Sequence, residues 1–341
     1  MIKLTMFSSA TKVAGQGVGS AYTELMGLLN TYLKDDFDVK VNDYHPSDIS
    51  HYHTIDPQFY LSTFSKKRGR KIGYVHFLPE TLEGSLKLIQ PFKGIFYKYV
   101  IAFYKRMDHI IVVNPSFIPK LQDYGIPKEK ITYIPNFVSK KEFHKIDIQR
   151  RLAVRTELGL KPDDFMVFGD GQVQERKGID DFYKLAKNNP EIKFIWAGGF
   201  SFGPITDGYD RYKKMVKNPP KNLKFTGIIK RSKLNDYLNA ADLFLLPSYD
   251  ELFPMSVLEA FSAGTPVLLR DLELYHSIIS GYYQPAKDYD EMNQNIHELA
   301  HNSEKLNELA KKAAAGANYY SEEHLSKIWR NFYYSQLSQK E

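Results

Sequence analysis

The chain has 341 residues, 43% of them hydrophobic and 25% charged, which is the composition of a globular protein of about two domains. Cysteine is absent, excluding disulfides and thiolate metal sites and fitting a reducing cytoplasm. No apolar run approaches the roughly 18 residues of a membrane span, and the opening MIKLTMFSSATKVAGQG lacks a signal-peptide cleavage pattern, so neither a span nor a leader is expected.

The net charge of +6 is uneven: residues 1–150 carry 21 basic against 14 acidic side chains, and residues 151–341 carry 25 against 26. Within 60–106 there are ten basic residues and two acids, Glu80 and Glu83. An anionic partner is expected for that half, a membrane surface or nucleic acid.

In chain order, Ile2–Ser8 reads as a strand, followed by the glycine turn AGQGVGS (Gly15, Gly17, Gly19) and a helix from about Ser20 to Leu33. The spacing is GxGxG, so this turn is not a dinucleotide fingerprint; it lets backbone approach whatever lies beside it. Asp48, His51, His53 and Asp56 have metal-like spacing, but strand-end or cleft-lining histidines explain them better. KIGYVHF, 71–77, is a strand with His76 near its end, either a core histidine or one lining a crevice beyond the sheet.

The run from Leu86 to Met107 interleaves aromatics (Phe92, Phe96, Tyr97, Tyr99, Phe103, Tyr104) with Lys87, Lys93, Lys98, Lys105 and Arg106. It suits the interface of a bilayer, and with Lys66, Lys67, Arg68, Arg70 and Lys71 it forms the expected membrane-binding set. The alternative is a core helix with snorkelling lysines.

HIIVVN (109–114) and ITYIPNF (131–137) read as further strands, and polar 140–164 is expected to hold the boundary between domains 1–148 and 149–320. A second βα series follows: DFMVFGD, KFIWAGGF, LKFTGII, then Leu243–Leu246 and Pro266–Leu269. Arg176 and Lys177 precede a helix beginning near Ile179, either neutralising phosphates or standing as solvated charge. Residues 291–341 read as helices, the last segment, 321–341, packing back towards the N-terminal domain.

Between the last two strands Pro254 opens a helix that Gly264 stops, leaving Glu251 in a loop and Glu259 between Leu258 and Phe261. Solvated acids are the simple alternative. A carboxylate near an apolar face wants a partner, which a vicinal diol would supply, and the amides of Met255 and Ser256 would hold a pyrophosphate.

These motifs resemble glycosyltransferase family 4, retaining enzymes of the GT-B fold. They are GxxxxxKG (Gly171–Gly178), AGG (Ala197–Gly199), TG before a helix ending AADLFLLPS, and ExxxxxxxEAxxxGxPV (Glu251–Val267). DxxHxH (Asp48–His53), His76 and ITYIPN match more loosely. The resemblance implies an α/β fold of two Rossmann-like, doubly wound domains facing a cleft. It implies Glu259 on the nucleotide ribose, Glu251 on the donor sugar near its 3-hydroxyl and Lys177 on the diphosphate. His76 would sit by the reacting centre and the donor's 6-hydroxyl, the Gly15–Gly19 loop against donor or acceptor, and Gln172, Arg176 and Phe253 in the nucleotide-sugar site. His76, Glu251 and Lys177 are the implied catalytic residues. No metal or other cofactor is needed where cations and amides meet the leaving diphosphate. The chain departs from the pattern at Gln172, where the family has Arg, at Pro254, and at Phe137 after Asn136.

Its length and basic, aromatic first half resemble the subgroup that adds a second hexose to monoglucosyl-diacylglycerol, giving the diglycosyl lipid of Gram-positive membranes and lipoteichoic acid anchors. That implies UDP-glucose or UDP-galactose as donor, a glycolipid acceptor, and a peripheral protein on the cytoplasmic face of the cell membrane. A polyprenyl-linked or polysaccharide acceptor is the alternative within the family. A non-catalytic nucleotide- or nucleic-acid-binding protein is the alternative outside it, disfavoured because Glu251 and Glu259 would repel a phosphate backbone.

Overall fold

A computed structural model describes residues 1–12, 17–79, 92–200, 203, 206 and 208–338. The chain divides into two compact units. Among the described residues, one is drawn from 1–79, 92–137 and 322–338 and the other from 138–321.

The sheet of the first unit is parallel, with β1 (Ile2–Phe7), β2 (Phe37–Val41), β3 (Ile49–Tyr52), β4 (Arg70–Val75), β5 (His109–Val112) and β6 (Ile131–Tyr133) in the order 2-1-3-4-5-6. β3 and β5 are buried at every position, as parallel strands covered on both faces must be. β2 is an edge strand, and FDVKV becomes exposed at its end. Its charged residues fit an edge and conceal the strand from a reading based on apolar runs.

The helix Glu322–Ser338 belongs to this unit and buries Leu325, Trp329, Phe332 and Tyr333. Arg330 pairs with Asp36 at 3.0 Å, and the Tyr333 hydroxyl shares a 2.8 Å hydrogen bond with His51 Nδ1.

The second unit repeats the plan. β7 (Met166–Asp170), β8 (Lys193–Ala197), β9 (Leu223–Gly227), β10 (Leu243–Leu246), β11 (Val267–Arg270) and β12 (Gln284–Ala286) form a parallel sheet in the order 12-11-10-7-8-9. β12, three residues long, is too short to show a period.

The polar stretch 140–164 is anchored on this unit. The amides of His144 and Ile146 donate to Asn235 and Asn239, and Arg151 and Arg155 pair with Asp242. Val138 bridges Ser321 in the same unit. The polarity of 140–164 therefore belongs to a helix, Ile148–Glu157, held by ion pairs, and the chain passes between units at 137/138.

Candidate active site

The second unit's site is built where its central strands end. β10 is an apolar strand buried along its whole length, and the chain leaves it at Pro247. The following helix, Met255–Ala263, starts after Pro254, whose missing N–H costs nothing there. It stops at Gly264, which takes the left-handed conformation, φ 74°. Between these limits the helix is buried almost all round, Glu259 included.

Glu259 is 3% exposed, and Arg231 of the helix Arg231–Ala240 donates to its Oε1 at 2.6 Å. Arg231 also donates to Glu142 at 2.8 Å and lies over the Phe143 ring. The partner that Glu259 requires is thus already inside the protein. Burial raises the Glu259 carboxyl above its ordinary value, against the pull of Arg231.

Glu251, 6% exposed, is held by three neighbours: Lys177 Nζ at 2.5 Å, Arg176 at 3.7 Å and the Ser248 hydroxyl at 2.7 Å. Burial opposes its ionisation, but Lys177, Arg176 and Ser248 together lower its pKa.

The GxxxxxKG loop brings those cations in. Gly178 has φ 67°, and a Cβ there would sit 2.1 Å from the Pro247 carbonyl oxygen, so only glycine lets the loop pass β10. Gly198 is tighter still, its Cβ position 1.9 Å from the Gly171 carbonyl. Asp170, the last residue of β7, completes the group. Burial, then the charge of Glu259, pushes its carboxyl up to about 7, while Lys177 and the Ser256 hydroxyl pull the other way.

The site therefore gathers Lys177, Arg176, Glu251, Glu259 and Ser256 into one neighbourhood. Met255 and Ser256 are the first residues of their helix, where backbone N–H groups have no intrahelical acceptor. Gln172 is partly exposed just beyond β7. Phe253 is buried and packs edge-to-face on Tyr320.

Arg231, Ser248 and Asp170 were not expected from the sequence. Asp170 carried a signal, an acid before glycine at a strand end. Arg231, 28 residues from Glu259, carried none.

In the first unit His76 lies just beyond β4 and is buried, with its ring 4.2 Å from that of His53 and 4.3 Å from that of Tyr74. His51 and His53 are buried beside it. Among the described residues no group of three or more His, Asp or Glu side chains is placed to hold a metal ion. Burial lowers the pKa of His51 and His76 to about 3 and that of His53 well below the ordinary 6.5.

In the unfolded chain these imidazoles take protons near pH 6.5; folded, His51 and His76 refuse them until about pH 3, and burial holds His53 well below its ordinary value. Stability from this cluster is present above pH 6.5 and is lost as pH falls towards 3. Each imidazole contributes a slope of up to about 1.4 kcal/mol per pH unit. Urea midpoints measured from pH 7 to pH 4.5 should fall steadily; a flat profile contradicts this burial. Gly15 lies outside the described residues, and Gly17 opens the helix Gly17–Tyr32.

The expected membrane set divides. Lys66, Lys67, Lys98 and Lys105 are exposed. Arg68 is a correction: it is 1% exposed and donates to the carbonyls of Asp43, Tyr44 and His45, a structural role in place of a surface one. Arg70 donates to Gln336, Lys71 pairs with Asp108 at 2.9 Å, and Arg106 donates to Thr63 and covers the Phe64 ring. These three are occupied within the unit.

Phe96 is partly buried, and the side chain of Lys93, like residue Lys87, lies outside the described ones. The helix Phe92–Lys105 buries Val100, Phe103 and Tyr104 but leaves Ile95 exposed, as are Leu61 and Phe64. Among the described residues no helix is long and apolar enough to cross a membrane.

Comparison with known proteins gives the family and the fold. The glycosyl transferases group 1 family matches residues 151–315, and glycosyltransferase family 4 matches residues 38–142. The chain is 53% identical to the alpha-galactosylglucosyldiacylglycerol synthase of Streptococcus pneumoniae, over 99% of this chain and 90% of that one. It is 30% identical to the processive diacylglycerol alpha-glucosyltransferase of Acholeplasma laidlawii, over 56% of this chain and 55% of the relative. The fold is similar to that of Anabaena HepE, crystallised with UDP and glucose, with TM-score 0.79 and 15% identity, covering 98% of this chain and 100% of that one. Sucrose-phosphate synthase from Thermosynechococcus elongatus gives TM-score 0.80 at 16% identity, covering 99% and 100%.

Proposed function

The chain belongs to the family 4 type of glycosyltransferase, has the GT-B fold and is a hexosyltransferase, and on that premise we propose its donor, acceptor and location. It moves a hexose from UDP-glucose or UDP-galactose to a membrane glycolipid, monoglucosyl-diacylglycerol, with retention of anomeric configuration. The product is a diglycosyl-diacylglycerol. The observation that carries the reading is the paired arrangement of Arg231 with Glu259 and of Lys177 with Glu251 at the strand ends of the second unit.

Glu259 offers its carboxylate to the ribose diol and Glu251 to the hexose. Lys177, Arg176 and the first amides of the helix Met255–Ala263 take the charge that grows on the departing diphosphate, so no metal ion is required. His76, kept neutral by burial, can bond a sugar hydroxyl without adding charge, and is proposed for the hexose. The acceptor reading is supported by the name of the 53% identical relative, a galactosylglucosyldiacylglycerol synthase.

The location reading, peripheral on the cytoplasmic face, is supported by exposed Lys66, Lys67, Lys98 and Lys105 beside exposed Leu61, Phe64 and Ile95. Nucleic acid is not proposed as a partner.

One assay tests these parts together. The enzyme is given UDP-glucose or UDP-galactose over vesicles of glucosyl-diacylglycerol, with and without anionic lipid, and the lipid product and bound protein are read. Diglycosyl lipid from one donor is expected, with binding that needs anionic lipid and weakens as salt rises. Free sugar as the only product overturns the acceptor assignment. Binding indifferent to lipid charge and to salt overturns the membrane assignment.

A further inference from the structure

Three acids and three bases meet at the end of the second unit's sheet, but not as three equal pairs. Glu251 has Lys177 and Arg176, and Glu259 has Arg231. Asp170 has no ion pair of its own among the described residues, and its Oδ1 is buried without a hydrogen-bond partner. Around it stand Ser256 and Glu259 from the helix Met255–Ala263, Lys177 from the turn Glu175–Lys177, and Glu251 from the loop after β10. Arg231 faces Glu259 from its own helix.

A nucleoside diphosphate bound by Lys177 and Ser256 would bring its negative charge beside this acid. A half-buried carboxylate next to that charge, with Lys177, Arg176 and Arg231 already paired to Glu251 and Glu259, is strongly disfavoured. A neutral carboxyl in the same place removes the repulsion, and a proton on Oδ1, which has no hydrogen-bond partner in this structure, makes it a donor to a diphosphate oxygen.

We infer that Asp170 is a proton-coupled positioning residue of the donor site: it takes one proton from solvent as the UDP-sugar binds and presents a neutral carboxyl beside the diphosphate. This rests on the donor reading above. The proton bonds to the Asp170 carboxylate, no other bond is made or broken, and release of UDP lets the proton go. Because the carboxyl sits near neutrality before donor arrives, the coupling falls in the working pH range. By linkage, whatever protonates Asp170 favours donor binding, and binding favours protonation equally.

The test is calorimetric titration of the whole protein with UDP-glucose and with UDP-galactose, whose diphosphate diesters have no group titrating near neutrality. It is run from pH 6 to pH 9 in buffers of different ionisation enthalpy. Wild-type protein should take up as much as one proton, its affinity falling about tenfold per pH unit above the Asp170 transition. Asp170→Asn should bind with no proton uptake and with an affinity flat across this range.

Binding by wild-type protein without proton uptake overturns the inference and leaves the donor reading standing. Uptake that persists in Asp170→Asn assigns the proton to another group, Glu259 first, and also overturns it. No binding of either nucleotide sugar at any pH overturns the donor reading itself. Absence of uptake in wild-type protein overturns the inference even where the variant folds poorly.

Discussion

Glu259→Ala is expected to lower kcat/KM for UDP-sugar turnover by about 10²–10³-fold or more. Truncating one partner of a buried, hydrogen-bonded charge pair costs roughly 2–5 kcal/mol, much of it the penalty on the charge left behind. Here that charge is Arg231, which keeps Glu142 at 2.8 Å but loses its 2.6 Å bond to Glu259. The loss on folding and the loss on donor binding have to be separated. Glu259→Gln preserves the shape and removes the charge, so it should melt close to wild type while still losing donor affinity. UDP should raise the melting temperature of wild-type protein and fail to raise that of either variant. Turnover at the wild-type rate in a folded Glu259→Ala protein removes the ribose assignment.

Lys177→Ala should act on kcat more than on folding. Its stem crosses Gly171, close enough that a Cβ at that glycine would lie 3.4 Å from Lys177 Cε, and its ammonium bonds Glu251 at 2.5 Å. Without it Glu251 retains Ser248 at 2.7 Å and Arg176 at 3.7 Å, so the carboxylate is weakened but not stranded. A cation placed where charge develops in a water-poor site contributes on the scale of an oxyanion-hole donor, about 10²–10³ in rate. Lys177→Ala is expected to lose that factor in kcat with a smaller change in KM. Lys177→Arg should recover only part, because a planar guanidinium does not replace a compact ammonium. A variant that changes KM alone places Lys177 in ground-state binding and not in leaving-group stabilisation.

Much of this was legible in the chain. Apolar runs at 243–246 and 110–112 are strands because a parallel strand covered on both faces is apolar along most of its length. Pro254 and Gly264 bracket their helix for reasons local to the backbone. Illegible parts have physical causes too. β2 hides because an edge strand can carry charge, and β12 because three residues show no period. Arg68 was grouped with its basic neighbours because charge counts do not say which side chain turns inward to meet three carbonyls.

By itself the sequence determined two βα series, the acids at 251 and 259 with their helix between strands, and the basic, aromatic character of the first half. These are properties of neighbours along the chain, where periodicity and turn chemistry act over a few residues. The tertiary structure alone decided the pairings. Lys177 meets Glu251 across 74 residues, Arg231 meets Glu259 across 28, and the helix Glu322–Ser338 joins the unit that contains β1. A carboxylate's need for a partner follows from the cost of burying charge, but which cation arrives depends on which strand ends the sheet order brings together.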